Sequence, residues 1–184
     1  VILGIALTNP SKIIGNVKKQ KQEVDFWTKE EFEKVISLIY KEDFYQHFLF
    51  MSLWLLFMTG MRIGEATAIQ WDDLDFETGV LSIDKSLYYK NQNDYRFTEP
   101  KTKASVRHIV LDKTTLVLLK EWRNIQQKVV KTGFIMSYNG IPTQKYTIAH
   151  AIERYAKKAG VHRIRIHALR HSHASLLISM GENP

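Results

Sequence analysis

The chain has 184 residues, is 45% hydrophobic and contains no cysteine. That excludes disulfides, cysteine-ligated metals and general disorder, and it fits a reducing cytoplasm. The most apolar run, residues 48–58, is shorter than the roughly 20 residues a membrane-spanning helix needs, so it reads as a core helix. A net charge of +7 and a pI near 9.5 point to an acidic partner such as nucleic acid or a membrane surface.

In chain order, residues 1–24 read as the end of a helix, broken at Asn9-Pro10, followed by the polar basic connector GNVKKQKQE. The compact domain is expected to begin at residue 25. Thr28 and Glu31 form a T-x-x-E capping box, with Trp27 placed to staple onto Phe32. A second helix over 45–59 is apolar nearly all round and stops at Gly60, a natural left-handed cap. Met61-Arg62-Ile63-Gly64-Glu65 then reads as a sharp corner opening a short helix, which delivers Arg62 from a firmly supported position.

From residue 75 the period changes. The runs 79–89, 95–99 and 106–111 are β-leaning and predict a small three-stranded antiparallel sheet, with KNQND at one turn and PKTKAS at the next. Lys101 and Lys103 fall on the second turn. Helices follow over 113–131, capped by Asp112 and ended by Gly133, and over 144–159, capped by Thr143 and ended by Gly160. The segment 160–166 adds Arg163 and Arg165 to a basic cluster. The fold class is therefore α+β, mainly helical with a small sheet.

The last helix, 167–180, carries His167, Arg170, His171 and Ala174 on one side and Leu169, Leu176 and Met180 on another. Ser172, Ser175 and Ser179 form the stripe expected to face water, and the rest is expected to be largely buried. An Arg and two His in the first turns add to the partial positive charge of the helix N-terminus. A phosphate would balance them, and so would a core carboxylate. His167 and His171 have the spacing of an H-E-x-x-H zinc site, but the Glu is missing and Arg170 repels a cation, so no metal is expected. No G-x-S-x-G elbow or phosphate-binding loop occurs. What remains is Arg62 from a helix corner, Lys103 from a hairpin turn, and His167 with Arg170 from a late helix. Arginine forks suit the charge of a pentacoordinate phosphate, and a lysine can protonate an alkoxide leaving group without metal.

Three segments in this order resemble the tyrosine recombinases, or phage-type integrases, over residues 26–184. TGMRIGEATAIQWDDLDF resembles the family's first arginine box, PKTKASVRHIVL its lysine-bearing hairpin, and HALRHSHASLLISMGENP its H-x-x-R box. The resemblance implies catalytic roles for Arg62, Lys103, His167 and Arg170, supporting roles for Glu65 and His171, and packing for Trp71. It implies metal-free, cofactor-free cleavage of double-stranded DNA through a 3′-phosphotyrosyl intermediate, by a homotetramer on two duplexes. On the same resemblance, residues 1–24 are the end of a core-binding domain plus linker, and 25–184 a catalytic domain cut before the nucleophile. All eight tyrosines lie before His167, so the chain itself is expected to bind DNA and not cleave it. A non-catalytic DNA-binding module and a type IB topoisomerase relative are the competing readings.

Overall fold

The computed structural model describes residues 25–100 and 105–182. The expected helix end and connector at 1–24, and both Lys101 and Lys103, lie outside the described residues. The described part holds helices α1 (Lys29–Ser37), α2 (Phe44–Thr59), α3 (Ile63–Ala66), α4 (Lys113–Val129), α5 (Lys145–Ala159) and α6 (Ala168–Ser179). It also holds strands β1 (Val80–Ile83), β2 (Ser86–Asn91), β3 (Asp94–Thr98) and β4 (Arg107–Val110). This is an α+β fold, mainly helical, with small antiparallel sheets.

Helix α2 is the axis of the domain. No residue from Phe44 to Thr59 is charged at neutral pH, and α1, α3, α4, α5 and α6 all pack on it. The Asp43 carboxylate accepts the Gln46 N–H at 2.8 Å and opens the helix. Helix α1 starts with the expected reciprocal capping box between Thr28 and Glu31. Its Phe32 ring stacks on Phe57 of α2 at a centroid distance of 3.8 Å. Trp27 ties the start of the domain to its end: its backbone N–H donates to Ser172 Oγ at 2.9 Å, and its indole N–H to the His162 carbonyl at 2.8 Å. Buried Gln126 of α4 accepts from the Trp71 indole at 2.8 Å and donates to the Ser137 carbonyl at 2.6 Å. That network clamps the segment after α3.

The sheet departs from the expected three strands. The 79–89 run breaks at Asp84-Lys85, and its halves join different two-stranded ribbons: β1 pairs with β4, Ile83 opposite Arg107, and β2 pairs with β3, Ser86 opposite Thr98. Two adjacent charges cause the break, since Lys85 turns its ammonium onto Asp73 and Asp84. Leu81 and Ile83 bury their side chains on one side of the break, whereas β2 and β3 have no buried residue.

Helix ends also shifted where side chains found other partners. Thr143 does not cap α5, because its hydroxyl donates to the Met136 carbonyl at 2.7 Å and Gln144 takes the cap position. Helix α4 stops at Val129, and Val130 is already extended. Helix α6 is not largely buried: only Ala168, Leu169 and Ser172 are, and the outer turn with Ile178 and Met180 is exposed. Its serine stripe is split, since Ser172 is among the most buried polar residues and holds Trp27. No helix among the described residues is long and apolar enough to cross a membrane.

Candidate active site

The site is assembled around Gly60. This residue closes α2 in the left-handed region, with φ 58°, a conformation that costs a side-chain-bearing residue steric strain. It also has no room for a side chain, because a Cβ would lie 2.5 Å from Cδ2 of His173 on α6. Its carbonyl accepts a hydrogen bond from Arg170 Nη1 at 2.7 Å. Thus α6 is pinned to the end of α2 by a packed imidazole and a guanidinium, two residues before Arg62 appears.

Arg62 is the N-cap of α3, with an extended backbone at φ −68° and ψ 148°. Glu65, almost fully buried, receives the Arg62 backbone N–H at Oε2 (2.9 Å) and Arg62 Nη1 at Oε1 (2.8 Å). Glu65 Oε2 also accepts Arg107 Nη2 from β4 at 2.9 Å. Buried Ser105 closes the set: its Oγ accepts from Arg62 Nη1 at 3.3 Å, and its carbonyl from Arg107 Nη1 at 3.1 Å. Burial alone would raise the Glu65 carboxyl, but the hydrogen bonds from Arg107 and Arg62 outweigh it and hold the group below the usual carboxylate range.

Arg170 is half-buried on the first turn of α6. Burial, followed by the charges of Arg62 and Arg107, pushes its guanidinium below the ordinary arginine value, with Glu65 opposing. Three guanidiniums therefore share one carboxylate, which leaves the cluster net positive. Among the described residues, Arg62 and Arg170 make no hydrogen bond through Nε or Nη2. Two unspent, supported guanidinium forks in a positive field suit a tetrahedral oxyanion.

His167 sits at the N-cap of α6, exposed, three residues before Arg170. The His171 ring lies edge-on to it, with centroids 5.2 Å apart. His173 turns inward, and burial, aided by Arg170, depresses its basicity although the Phe57 carbonyl opposes the effect. That carbonyl lies outside hydrogen-bond geometry, and Nδ1 is buried without a hydrogen-bond partner. Trp71 is buried, as expected of a packing residue. Arg163 does not join the cluster, because it pairs with Glu153 on α5 at 3.1 Å.

Thus the structure brings Arg62, Glu65 and Arg170 together and puts His167 and His171 on the same helix as Arg170, while Lys103 lies outside the described residues. The sequence reading missed Arg107 and Ser105. The one signal for Arg107 was its alternation with Ile109, which puts an arginine on the inward-facing side of a strand. Among the described residues no group of three or more His, Cys, Asp or Glu could hold a metal ion. A cleft of about 230 Å³ runs behind α3 to the start of α5, past Gly64, Tyr89 and Lys145, and none of the three arginines lines it.

A family model described as the phage integrase family matches residues 25–184. The chain belongs to the phage integrase family. It is 32% identical to the ICEBs1 integrase of Bacillus subtilis (strain 168), over 95% of this chain and 49% of that protein. It is 27% identical to the integrase of Staphylococcus phage L54a, over 98% of this chain and 56% of that protein. The chain thus spans about half the length of the curated relatives it matches. In fold it is similar to the Tn1549 transposon integrase in complex with transposon right end DNA, with a TM-score of 0.75 at 22% identity, over 91% of this chain and 57% of that one. The XerA recombinase superposes with a TM-score of 0.67 at 17% identity, over 91% of this chain and 54% of that one. As an integrase-family chain, it carries its arginine cluster at the meeting point of α2, α3, β4 and α6.

Proposed function

We propose that this chain supplies the phosphate-activating part of a site-specific DNA recombinase, with residues 25–184 as the catalytic domain and residues 1–24 as the end of a core-binding domain and its linker. The observation that carries the reading is the pair of supported guanidiniums, Arg62 and Arg170, each with an unspent fork and both in a net positive cluster. Membership of the phage integrase family supports it.

In this mechanism the two arginines hold the non-bridging oxygens of one DNA phosphodiester and stabilise the added charge of the pentacoordinate state. A tyrosine hydroxyl attacks phosphorus, the bond to the 5′-oxygen breaks, and a 3′-phosphotyrosyl ester forms. Lys103 protonates the departing 5′-oxygen, while His167 assists proton transfer and contacts the phosphate. Glu65 orients Arg62, and His171 supports His167. Attack by a new 5′-hydroxyl reverses the steps and conserves the bond energy. No step calls on a metal or cofactor. The recombinase works in the cytoplasm on double-stranded DNA, as a homotetramer holding two duplexes.

No tyrosine follows His167 in this sequence, and among the described residues none is hydrogen-bonded to Arg62, Glu65, Arg107 or Arg170. The 184-residue chain is therefore proposed to engage DNA without cleaving it. A nicked suicide duplex tests this: the chain should shift the duplex and form no covalent adduct. An adduct formed by the chain would overturn the assignment of the nucleophile. Failure to bind any duplex would overturn the reading itself.

A further inference from the structure

We propose that Arg107 is a positioning residue that acts through Glu65: it supplies the counter-charge that keeps the buried carboxylate from neutralising Arg62. This inference rests on the phosphate-binding reading of Arg62 given above.

Glu65 touches Arg62 twice, through the backbone N–H and through Nη1. As an isolated pair the two would have no net charge, and a carboxylate within 2.8 Å of the guanidinium would repel any phosphate approaching it. Arg107 changes that balance. Its Nη2 bonds Glu65 Oε2 at 2.9 Å, and its Nη1 is spent on the Ser105 carbonyl at 3.1 Å. Both Nη atoms are thus engaged inside the protein, unlike those of Arg62 and Arg170. The Arg62 side chain is 50% exposed and that of Arg107 27%. One arginine therefore faces outward as a ligand and the other lies behind it as a balancing charge. The second contact of each arginine is to Ser105, so the same residue that receives Arg62 at its hydroxyl receives Arg107 at its carbonyl. This geometry fixes both guanidiniums against a single residue, two positions before β4.

The test is a double-mutant cycle on the 184-residue chain, read as affinity for a fluorescent duplex of about 30 base pairs at low salt. Circular dichroism must show each variant folded at the assay temperature. R107Q should weaken binding about tenfold, the size of losing one charge-assisted contact. R107K, which keeps the charge, should stay within about threefold of the unaltered chain. In an E65Q background, with no carboxylate left to balance, R107Q should cost less than about twofold. If R107Q costs the same in both backgrounds, Arg107 touches the phosphate directly or acts only on the fold, and the inference fails. If R107Q has no effect while Arg62→Ala does, the inference fails and the phosphate reading stands. If Arg62→Ala also has no effect, both fail.

Discussion

Gly60→Ala is the substitution whose consequences the structure defines most closely. A Cβ there meets His173 Cδ2 at 2.5 Å and Cγ at 3.1 Å, on a backbone held at φ 58°. The left-handed conformation costs a non-glycine residue about 1–2 kcal/mol. Forcing the half-buried imidazole aside adds about 1–3 kcal/mol, the usual cost of overpacking. Together these make about 3 kcal/mol, which for a chain of this length lowers the melting temperature by about 6–12 °C. The two contributions separate, because His173→Ala removes the obstructing ring and leaves the backbone strain. In that background Gly60→Ala should cost only about 1–2 kcal/mol, or about 4 °C. Differential scanning calorimetry of the four proteins measures both quantities. Equal losses in the two backgrounds, or a single-mutant melting point within about 2 °C of the unaltered chain, would refute the claim that His173 locks the α2–α6 junction.

Three further outcomes follow from particular contacts. Ser172→Ala leaves the buried Trp27 N–H without its acceptor and should cost about 1–3 kcal/mol in urea unfolding, whereas Ser179→Ala, at an exposed position, should cost almost nothing. His47 and His173 are both held below their ordinary value of 6.5, chiefly by burial. Their contribution to stability is therefore complete well above 6.5 and is lost as pH falls through 6.5 toward the lowered folded values, so the urea midpoint should drop as pH falls through that window, and His47→Gln with His173→Gln should flatten that drop. Glu65 follows the same sign in a lower window. Its carboxyl is held below 4.5, so its stabilisation is present above 4.5 and vanishes as pH falls through the folded value; Glu65→Gln should remove that part of the acid transition in a pH titration of the melting temperature.

Local chemistry carried the sequence reading furthest. The Thr28–Glu31 box, the Asp112 cap, the stop at Gly60 and the corner at Arg62 depend on residues within a turn of one another, and all four are present. Where a side chain had a distant partner, the reading failed. Thr143 is an ordinary helix cap until Met136 offers a carbonyl, and Ser172 belongs to a polar stripe until Trp27 arrives from 145 residues away. The sheet split for the same reason, since Asp73 lies well before Lys85, which it captures at the break between β1 and β2. Within the site, Arg62, Glu65 and Arg170 were legible as parts of recognisable boxes. Arg107 was not, because a single arginine in a short strand carries no periodic signal, and its meaning comes from Glu65, 42 positions away.

The central claim is that Arg62 and Arg170 hold a DNA phosphate, and the salt dependence of duplex affinity tests it most directly. Each phosphate contact adds about 0.9 to the magnitude of the slope of log affinity against log salt for duplex DNA. Measured by anisotropy from about 50 to about 200 mM salt, the Arg62→Ala, Arg170→Ala double variant should bind more weakly, with a slope shallower by about 0.9, because both arginines grip the same phosphate. A double variant with the affinity and slope of the unaltered chain would contradict the account.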